Sequence, residues 1–284
     1  MKLGIVADEI DRDFGAAVRI GTALGLRRYE IRFLKSGRAP LCDRGELLEV
    51  ERIAAGEGVE ITALSPGLFK YTETAAGFAK EMAEVYPRAV EWALRWKLAG
   101  LIVFGFHKPG ATEENAASLG ALTLPLEVAD WFAKAGERAR ADGLRLMIEP
   151  EPICWCDTGC ATAALIARAG TAGLAVNYDP GNVAWLEGRD PIGEFDAVAG
   201  LIGNVHVKDV RFGGQANRLP HQFVAAGEGI IDYRRHSAAL QRIGYQGPIS
   251  LEPHMDGRSE TIGRCKEAFE RLWSESWTSP GEAR

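Results

Sequence analysis

The chain has 284 residues, of which 46% are hydrophobic and 25% are charged, and its formal net charge is −6. This length suits one large α/β barrel, and the hydrophobic content can support a substantial core. The negative charge argues against a general nucleic-acid or membrane-surface binder, because such proteins carry a basic stripe.

The sequence gives no sign of export or of membrane insertion. It enters an apolar run at residues 3–7 without the charged and longer apolar segments of a secretory signal. No apolar run approaches the roughly 20 residues needed to cross a bilayer. The five cysteines are an odd number in a chain large enough to fold without disulfides. These features predict a cytoplasmic protein.

Apolar, β-rich runs alternate with amphipathic segments of helix length along the whole chain. The pattern predicts strands over residues 3–7, 28–32, 59–64, 101–106, 144–149, 174–178, 201–207 and 248–252. It predicts helices over residues 14–24, 44–57, 77–98, 126–142, 161–169, 191–199, 233–243 and 261–274.

Eight strand–helix units in strict alternation predict a parallel sheet with helical crossovers. Eight strands are also the number that closes into a barrel, so we predict a single (β/α)₈ barrel over residues 1–276 with a tail over 277–284. An open doubly wound sheet is the alternative, but no Gly-x-Gly-x-x-Gly turn follows the first strand. The longest irregular stretch, residues 210–230, exceeds an ordinary barrel loop, and such loops are often functional.

Four polar residues follow or end the last four predicted strands, namely Glu149, Asp179, His206 and Glu252. In a closed barrel the carboxyl ends of these strands form one arc of the rim, so the four side chains converge. One carboxylate in such a position is as often a salt-bridged or capping residue as a ligand, and a lone histidine is more often a core residue. Four at equivalent positions favour a shared site.

Three carboxylates close together cannot all stay ionised without a countercharge, and a divalent cation supplies one. Oxygen ligands with one imidazole suit Mn²⁺, Mg²⁺, Co²⁺ or Zn²⁺, and residue types do not distinguish among these metals. The sequence therefore predicts one divalent metal ion at Glu149, Asp179, His206 and Glu252.

Five stretches in the second half of the chain carry a family resemblance. They are residues 148–152 (Ile-Glu-Pro-Glu-Pro), 177–182 (Asn-Tyr-Asp-Pro-Gly-Asn), 205–209 (Val-His-Val-Lys-Asp), 227–232 (Gly-Glu-Gly-Ile-Ile-Asp) and 244–252 (Gly-Tyr-Gln-Gly-Pro-Ile-Ser-Leu-Glu). In order and spacing they resemble the xylose isomerase-like barrel superfamily of sugar and sugar phosphate isomerases and epimerases, which includes the endonuclease IV-type nucleases. The resemblance implies that the four polar residues hold one divalent metal and that Glu149 and Glu252 face opposite sides of a bound sugar.

This arrangement suits proton abstraction next to a carbonyl. The metal would polarise a ketose carbonyl and its adjacent hydroxyl, which stabilises an enediolate. Glu149 and Glu252 are the catalytic candidates, because one can remove the carbon-bound proton and the other can return it. Epimerisation and aldose–ketose isomerisation differ only in where the proton returns, and the residue types leave both open.

Six further residues are candidates for substrate contact, namely Asn182, His107, Glu151, Lys208, Arg211 and Trp155. Asn182 stands where many sugar epimerases of the family carry a histidine, and an asparagine cannot act as an acid or base at neutral pH. Lys208 and Arg211 are the one indication of an anionic substrate. For each candidate an ordinary structural role is the alternative.

Three other functions compete with the isomerase or epimerase. A dehydratase of a keto-inositol or related polyol would use the same site but eliminate water. A nuclease of the endonuclease IV type would need further metal ligands and a basic groove, and neither is evident. A degenerate sugar-binding barrel conflicts with the intact set of four polar residues. The expected partner is a small-molecule carbohydrate, with no nucleic acid or membrane, and a homo-oligomer stays open.

Overall fold

The computed structural model describes residues 1–119, 123–213 and 222–276. The predicted tail over residues 277–284 and the centre of the predicted long loop lie outside the described residues.

The described residues form twelve strands and ten α-helices. The strands are β1 (Lys2–Val6), β2 (Arg28–Ile31), β3 (Phe33–Leu34), β4 (Gly37–Arg38), β5 (Glu60–Leu64), β6 (Gly100–Phe104), β7 (Arg145–Glu149), β8 (Leu174–Tyr178), β9 (Ile202–Val207), β10 (Asp209–Arg211), β11 (Gln222–Val224) and β12 (Pro248–Leu251). The helices are α1 (Phe14–Ala23), α2 (Arg44–Glu57), α3 (Ala75–Glu84), α4 (Tyr86–Arg95), α5 (Leu126–Ala141), α6 (Gly159–Ala169), α7 (Pro180–Glu187), α8 (Phe195–Val198), α9 (Tyr233–Arg242) and α10 (Ser259–Glu275).

Eight strands close into one barrel in the order β1-β12-β9-β8-β7-β6-β5-β2. β1 closes the ring by pairing in parallel with β12, where Lys2 lies opposite Pro248, and with β2, where Ile5 lies opposite Tyr29. At least one helix lies between successive barrel strands in the chain, as parallel pairing requires. The structure confirms the single (β/α)₈ barrel.

The alternation of side chains along each strand separates an outer apolar layer from the barrel interior. Inside the barrel, Ala63, Ile102, Met147 and Ala175 pack as one cluster. Two residues further along β7, the inward position is Glu149. The barrel interior is therefore apolar at the level of this cluster and becomes polar at the carboxyl ends of the strands.

The predicted helix over residues 77–98 is wrong, because the structure has two helices there, α3 and α4. They meet at Val85, and Pro87 lies in the first turn of α4. Proline has no N–H to donate to the carbonyl of Ala83, so the helical hydrogen-bond ladder is interrupted.

The helix α7 is absent from the sequence prediction, although its ends carry clear signals. Asp179 caps it, accepting a hydrogen bond from the Asn182 N–H at 3.0 Å, and Pro180 occupies the first helical position. Gly188 ends it with a φ of 67°. This helix start places Asn182 at the rim.

The single helix predicted over residues 191–199 is also wrong. The structure has a 3₁₀ turn at Pro191–Glu194, the short helix α8 and a second 3₁₀ turn at Ala199–Leu201.

Two small hairpins extend from the carboxyl ends of barrel strands. β3 pairs with β4 just after β2, and β10 pairs with β11 within the predicted long loop. The buried Asp209 carboxylate fixes the loop after β11, accepting hydrogen bonds from four backbone N–H groups, those of Val210, Gly227, Gly229 and Ile231.

No helix in the described residues combines the length and apolarity needed to span a membrane. The five cysteines are free thiols.

Candidate metal and substrate site

Four buried side chains meet at the carboxyl ends of β7, β8, β9 and β12, which are consecutive in the barrel. Glu149, Asp179, His206 and Glu252 each offer one ligand atom, and these atoms all lie within 4.8 Å of one another. We call this group the quartet. Its position follows from the parallel ring, because Glu149 ends β7, Asp179 and Glu252 follow β8 and β12, and His206 lies near the end of β9.

His206 is oriented by a carboxylate on its far side. Its Nε2 lies 2.9 Å from Glu30 Oε2, and both side chains are almost fully buried. Its Nδ1 faces the quartet, 3.0 Å from Glu252 Oε2 and 3.7 Å from Asp179 Oδ2. With Nε2–H donating to Glu30, Nδ1 presents its lone pair to the quartet, the arrangement typical of ligating histidines, and Asn177 Nδ2 lies 3.2 Å from this nitrogen.

Glu149 is held by neutral amides. Asn177 Nδ2 donates to its Oε2 at 3.1 Å, and Asn182 Nδ2 donates to its Oε1 at 3.0 Å. Asn204 Nδ2 donates in turn to Asn177 Oδ1 at 2.9 Å, which fixes that amide. Burial raises the pKa of Glu149 to about 7.

Lys208 is a fully buried cation beside the quartet. Its Nζ lies 2.6 Å from Glu252 Oε2 and 2.8 Å from Asp179 Oδ2. Burial disfavours the charged amine, but these two carboxylates hold the pKa of Lys208 well above its ordinary value. Burial likewise acts to raise the pKa of Glu252, and Lys208 together with His206 holds it well below the usual range.

Arg32 binds the other oxygen of Glu252. Its Nη2 also donates to Asp8 Oδ2 at 2.9 Å and to Glu9 Oε1 at 2.7 Å. His254 lies on the same side, with Nδ1 3.0 Å from Glu9 Oε1 and Nε2 3.5 Å from Glu252 Oε1. Glu9, Glu252 and His254 also cluster within 4.8 Å, but the Arg32 guanidinium already neutralises these carboxylates.

A cavity of about 390 Å³ opens above the quartet, and Glu149, His206 and Glu252 line its floor. Phe33, Phe104, Trp185 and Phe223 contribute aromatic walls. The Trp185 and Phe223 rings stack with centroids 5.0 Å apart. The cavity is the right size for one small polar ligand whose apolar face lies against these rings.

Seven of the residues proposed from sequence lie together here. Asp179 is buried in the quartet, and six of the seven line the cavity, namely Glu149, His206, Glu252, Asn182, Glu151 and Lys208. Glu151 Oε2 accepts a hydrogen bond from Lys70 Nζ at 3.0 Å.

The structure does not place three other candidates, His107, Trp155 and Arg211, among the residues that line this cavity. The His107 ring lies 2.8 Å from Glu73 Oε1, and Trp155 packs partly buried against the core. The Arg211 guanidinium donates to the Glu228 carbonyl oxygen at 2.8 Å. These three side chains therefore have partners outside the cavity lining.

Sequence reasoning missed several residues of this site. Asn177 and Asn204 carried a signal, because each is a polar residue inside an apolar strand pattern and must be hydrogen-bonded when buried. His254 carried a signal through its place two residues after Glu252. Arg38 gave none, since two-residue strands have no readable alternation.

The fold and the site define a class of protein, a parallel (β/α)₈ barrel with a buried three-carboxylate, one-histidine cluster that could hold a divalent metal at the carboxyl ends of its strands. The model of the xylose isomerase-like TIM barrel family matches residues 18–274, and the chain belongs to this family.

Known proteins of several activities resemble the chain. An inosose dehydratase from Lacticaseibacillus casei is 28% identical over 147 residues, which are 45% of this chain and 47% of that protein, so the match spans about half of the relative. The structure of an IOLI protein with a binding zinc atom superposes with a TM-score of 0.74 at 15% identity, covering 98% of this chain and 100% of the other. An L-ribulose 3-epimerase superposes with a TM-score of 0.70 at 16% identity, covering 97% and 95%. The last two likenesses show the fold alone.

Proposed function

We propose that the protein is a metal-dependent isomerase or epimerase that acts on a sugar, sugar acid or sugar phosphate by proton transfer through an enediolate. The observation that carries this proposal is the convergence of three carboxylates and an imidazole within 4.8 Å at the base of a cavity whose floor includes Glu149, His206 and Glu252. Catalysis at the carboxyl face is typical of such barrels.

The residues fit one divalent cation. Three buried carboxylates and His206 Nδ1 supply a mixed oxygen and nitrogen donor set, which suits Mn²⁺, Mg²⁺, Co²⁺ or Zn²⁺. Glu30 orients the imidazole, and Asn177 and Asn182 orient Glu149. When bound, a divalent cation acts as a Lewis acid that stabilises negative charge on the enediolate oxygens.

Glu149 and Glu252 are the proposed proton-transfer groups. They come from β7 and β12, with β8 and β9 between them in the ring, so they approach a ligand above the quartet from different sides. Lys208 and Arg32 orient Glu252, whereas side-chain amides orient Glu149. One carboxylate removes the carbon-bound proton and the other returns a proton to the same carbon or to its neighbour.

A dehydratase is the second candidate, and the similarity to an inosose dehydratase favours it. It would use the same base to remove the carbon-bound proton, but a proton would then be delivered to a hydroxyl group on the neighbouring carbon, which leaves as water. An endonuclease IV-type nuclease fits less well, because a cavity of about 390 Å³ accommodates a small molecule and its floor is acidic.

We propose a small-molecule carbohydrate as the partner, without nucleic acid or membrane. We also propose a location in the cytoplasm, and a homo-oligomer is left open.

The proposed reaction predicts hydrogen exchange with solvent at carbon. We expect deuterium from D₂O to enter the carbon skeleton of at least one member of a panel of keto-sugars and keto-inositols incubated with the Mn²⁺-loaded protein, measured by mass spectrometry and NMR. A product lighter by one water would identify the dehydratase. A panel without deuterium incorporation or product would contradict both.

Glu30 is expected to strengthen metal binding through His206. Glu30→Gln removes the negative partner of His206 Nε2 and should weaken Mn²⁺ binding about 10- to 100-fold, as changes at such supporting carboxylates do. Calorimetric titration measures this effect without any turnover. Glu60→Gln is the matched control, because Glu60 begins β5 at the opposite end of the barrel. Equal affinities in Glu30→Gln and wild type would show that Glu30 does not support a metal ligand.

A further inference from the structure

Arg38, the last residue of β4, directs its guanidinium into the wall of the cavity. The group lies between two aromatic rings, 4.9 Å from the Phe33 centroid and 5.7 Å from the Phe104 centroid. Its Nε donates to the Ser65 carbonyl oxygen at 3.0 Å, and its Nη2 donates to Ser65 Oγ at 2.8 Å. Stacking and hydrogen bonds to neutral acceptors therefore orient this cation without neutralising it.

The other basic side chains that line the cavity each have a carboxylate partner. These pairs are Arg32 with Asp8, Glu9 and Glu252, Lys70 with Glu151, Lys208 with Asp179 and Glu252, His206 with Glu30, and His254 with Glu9. Within residues 1–119, 123–213 and 222–276, no carboxylate forms an ion pair with Arg38. Among the described residues that line the cavity, Arg38 is the basic side chain without a carboxylate partner.

The position of Arg38 is unfavourable for a cation. Burial, and then the neighbouring charge of Arg32, lower the pKa of Arg38 below its usual value, and the carboxylates of Glu149, Asp8 and Glu252, none of which forms an ion pair with it, offset this only in part. Arg38 is partly buried, and a charge that is partly removed from water normally acquires a partner, because desolvation otherwise costs free energy. The protein keeps a guanidinium here, so the missing anion is expected to arrive with a ligand.

Arg38 shares this cavity with the quartet. Phe104, on which it stacks, lies opposite Glu149 across the β6–β7 pair. Phe33, its other stacking partner, also contacts Arg32, which binds Glu252. A ligand bound above the quartet is therefore close to Arg38 as well.

We infer that Arg38 binds a carboxylate of the substrate, so that the substrate is a polyhydroxylated carboxylic acid (a sugar acid). Ser65 occupies Nε and one N–H of Nη2, which leaves the Nη1–Nη2 edge with two parallel N–H donors. This edge matches the two oxygens of a carboxylate.

The charge of Arg38 also favours a carboxylate over a phosphate. One unpaired positive charge balances a monoanion, whereas a phosphate dianion would require a second free cation, and the nearby Lys70 is paired with Glu151. This inference rests on the proposed function, and it names the substrate class of the same site.

The test compares matched ligands that differ only at their terminal carbon. The probes are D-fructose, D-fructuronate and the terminal phosphate ester of D-fructose, with the corresponding D-tagatose series, titrated calorimetrically into the Mn²⁺-loaded protein. At least one carboxylate is expected to bind wild type about 10- to 100-fold more tightly than its neutral parent, since hydrogen bonds to charged groups are worth such factors. Arg38→Met keeps the apolar stem and should reduce the ratio to about one, while Arg38→Lys should retain part of it.

Arg88→Met, on the exposed surface of α4, is the matched control and should leave the ratio unchanged. The inference is overturned by equal binding of carboxylate and neutral ketose, by no binding of either carboxylate, by tighter binding of the phosphate ester, or by an unchanged ratio in Arg38→Met. Thermal unfolding of both Arg38 variants checks their fold. An Arg38-dependent preference without deuterium exchange would overturn the proposed reaction and leave this inference intact.

Discussion

Replacing Glu149 or Glu252 by glutamine is expected to lower turnover by about 10³-fold or more while the barrel remains folded. Positioned acid–base groups contribute about 10²- to 10⁴-fold, and each substitution also removes one anionic oxygen donor from the quartet. Glutamine has nearly the same shape, but its amide neither accepts nor returns a proton at neutral pH. Initial rates of solvent-deuterium incorporation at saturating Mn²⁺ measure the effect.

The two variants should differ in stability. Glu149 accepts one hydrogen bond from each of two neutral amides, and glutamine keeps one acceptor oxygen, so Glu149→Gln loses one hydrogen bond and should be only mildly destabilised. Glu252→Gln leaves Lys208 and Arg32 with one anionic partner fewer, and breaking buried ion pairs is costly. Its unfolding temperature should therefore be the lower of the two.

Glu84→Gln, at the exposed end of α3, is the matched control for both variants and should keep wild-type turnover. Bound Mn²⁺ must be measured in each variant, so that loss of metal can be separated from loss of proton transfer. Near wild-type turnover in either Glu149→Gln or Glu252→Gln would contradict the two-carboxylate mechanism.

The sequence predicted the barrel and the residues of the quartet for the same physical reason. Buried parallel strands read as apolar runs, and a closed ring brings the ends of those runs together. Glu149 and Glu252 are 103 positions apart in the numbering, yet their strands belong to one arc of four neighbours. Wherever regular strand periodicity determined a position, sequence reasoning was reliable.

Loop conformation accounts for most of what the sequence could not predict. His107 and Trp155 are close to rim positions along the chain, but irregular backbone has no periodic pattern that tells where a side chain points. Arg38 is the opposite case, a cavity residue that the sequence did not indicate. It lies in a hairpin of two two-residue strands, which are too short to show a pattern in the sequence. The sequence instead indicates Lys208 and Arg211 as the basic residues for an anionic substrate, but in the structure both side chains have partners within the protein.

The residues that surround the quartet were harder to predict than the quartet itself. Glu30 and Asn177 act on the quartet through an ion pair and a hydrogen bond across strands. Such pairings depend on register and side-chain direction, which a single sequence does not specify. A polar residue buried within a strand nevertheless indicates a hydrogen-bond partner nearby, because a buried polar group must be paired.

Removing divalent metal is expected to abolish deuterium incorporation and to lower the unfolding temperature. Metal that binds the folded chain at 100 times its Kd stabilises it by about 2.7 kcal/mol. For a domain of this size that corresponds to a shift of roughly 4–5 °C. The metal-free chain also keeps three carboxylates close together, with Lys208 and His206 as their nearest basic partners. Dialysis against EDTA, followed by thermal unfolding and elemental analysis, measures these effects.

Titrating the EDTA-treated protein with Mn²⁺, Mg²⁺, Co²⁺ and Zn²⁺ should restore incorporation and unfolding temperature together, at one ion per chain. His206→Gln supplies the matched variant, because it removes the nitrogen donor and leaves the three carboxylates in place, so it should bind these ions more weakly. Full activity in protein shown by elemental analysis to be free of metal would refute a metal role for the quartet. Restoration by one ion per chain in wild type, with weaker restoration in His206→Gln, would support the quartet as the binding site.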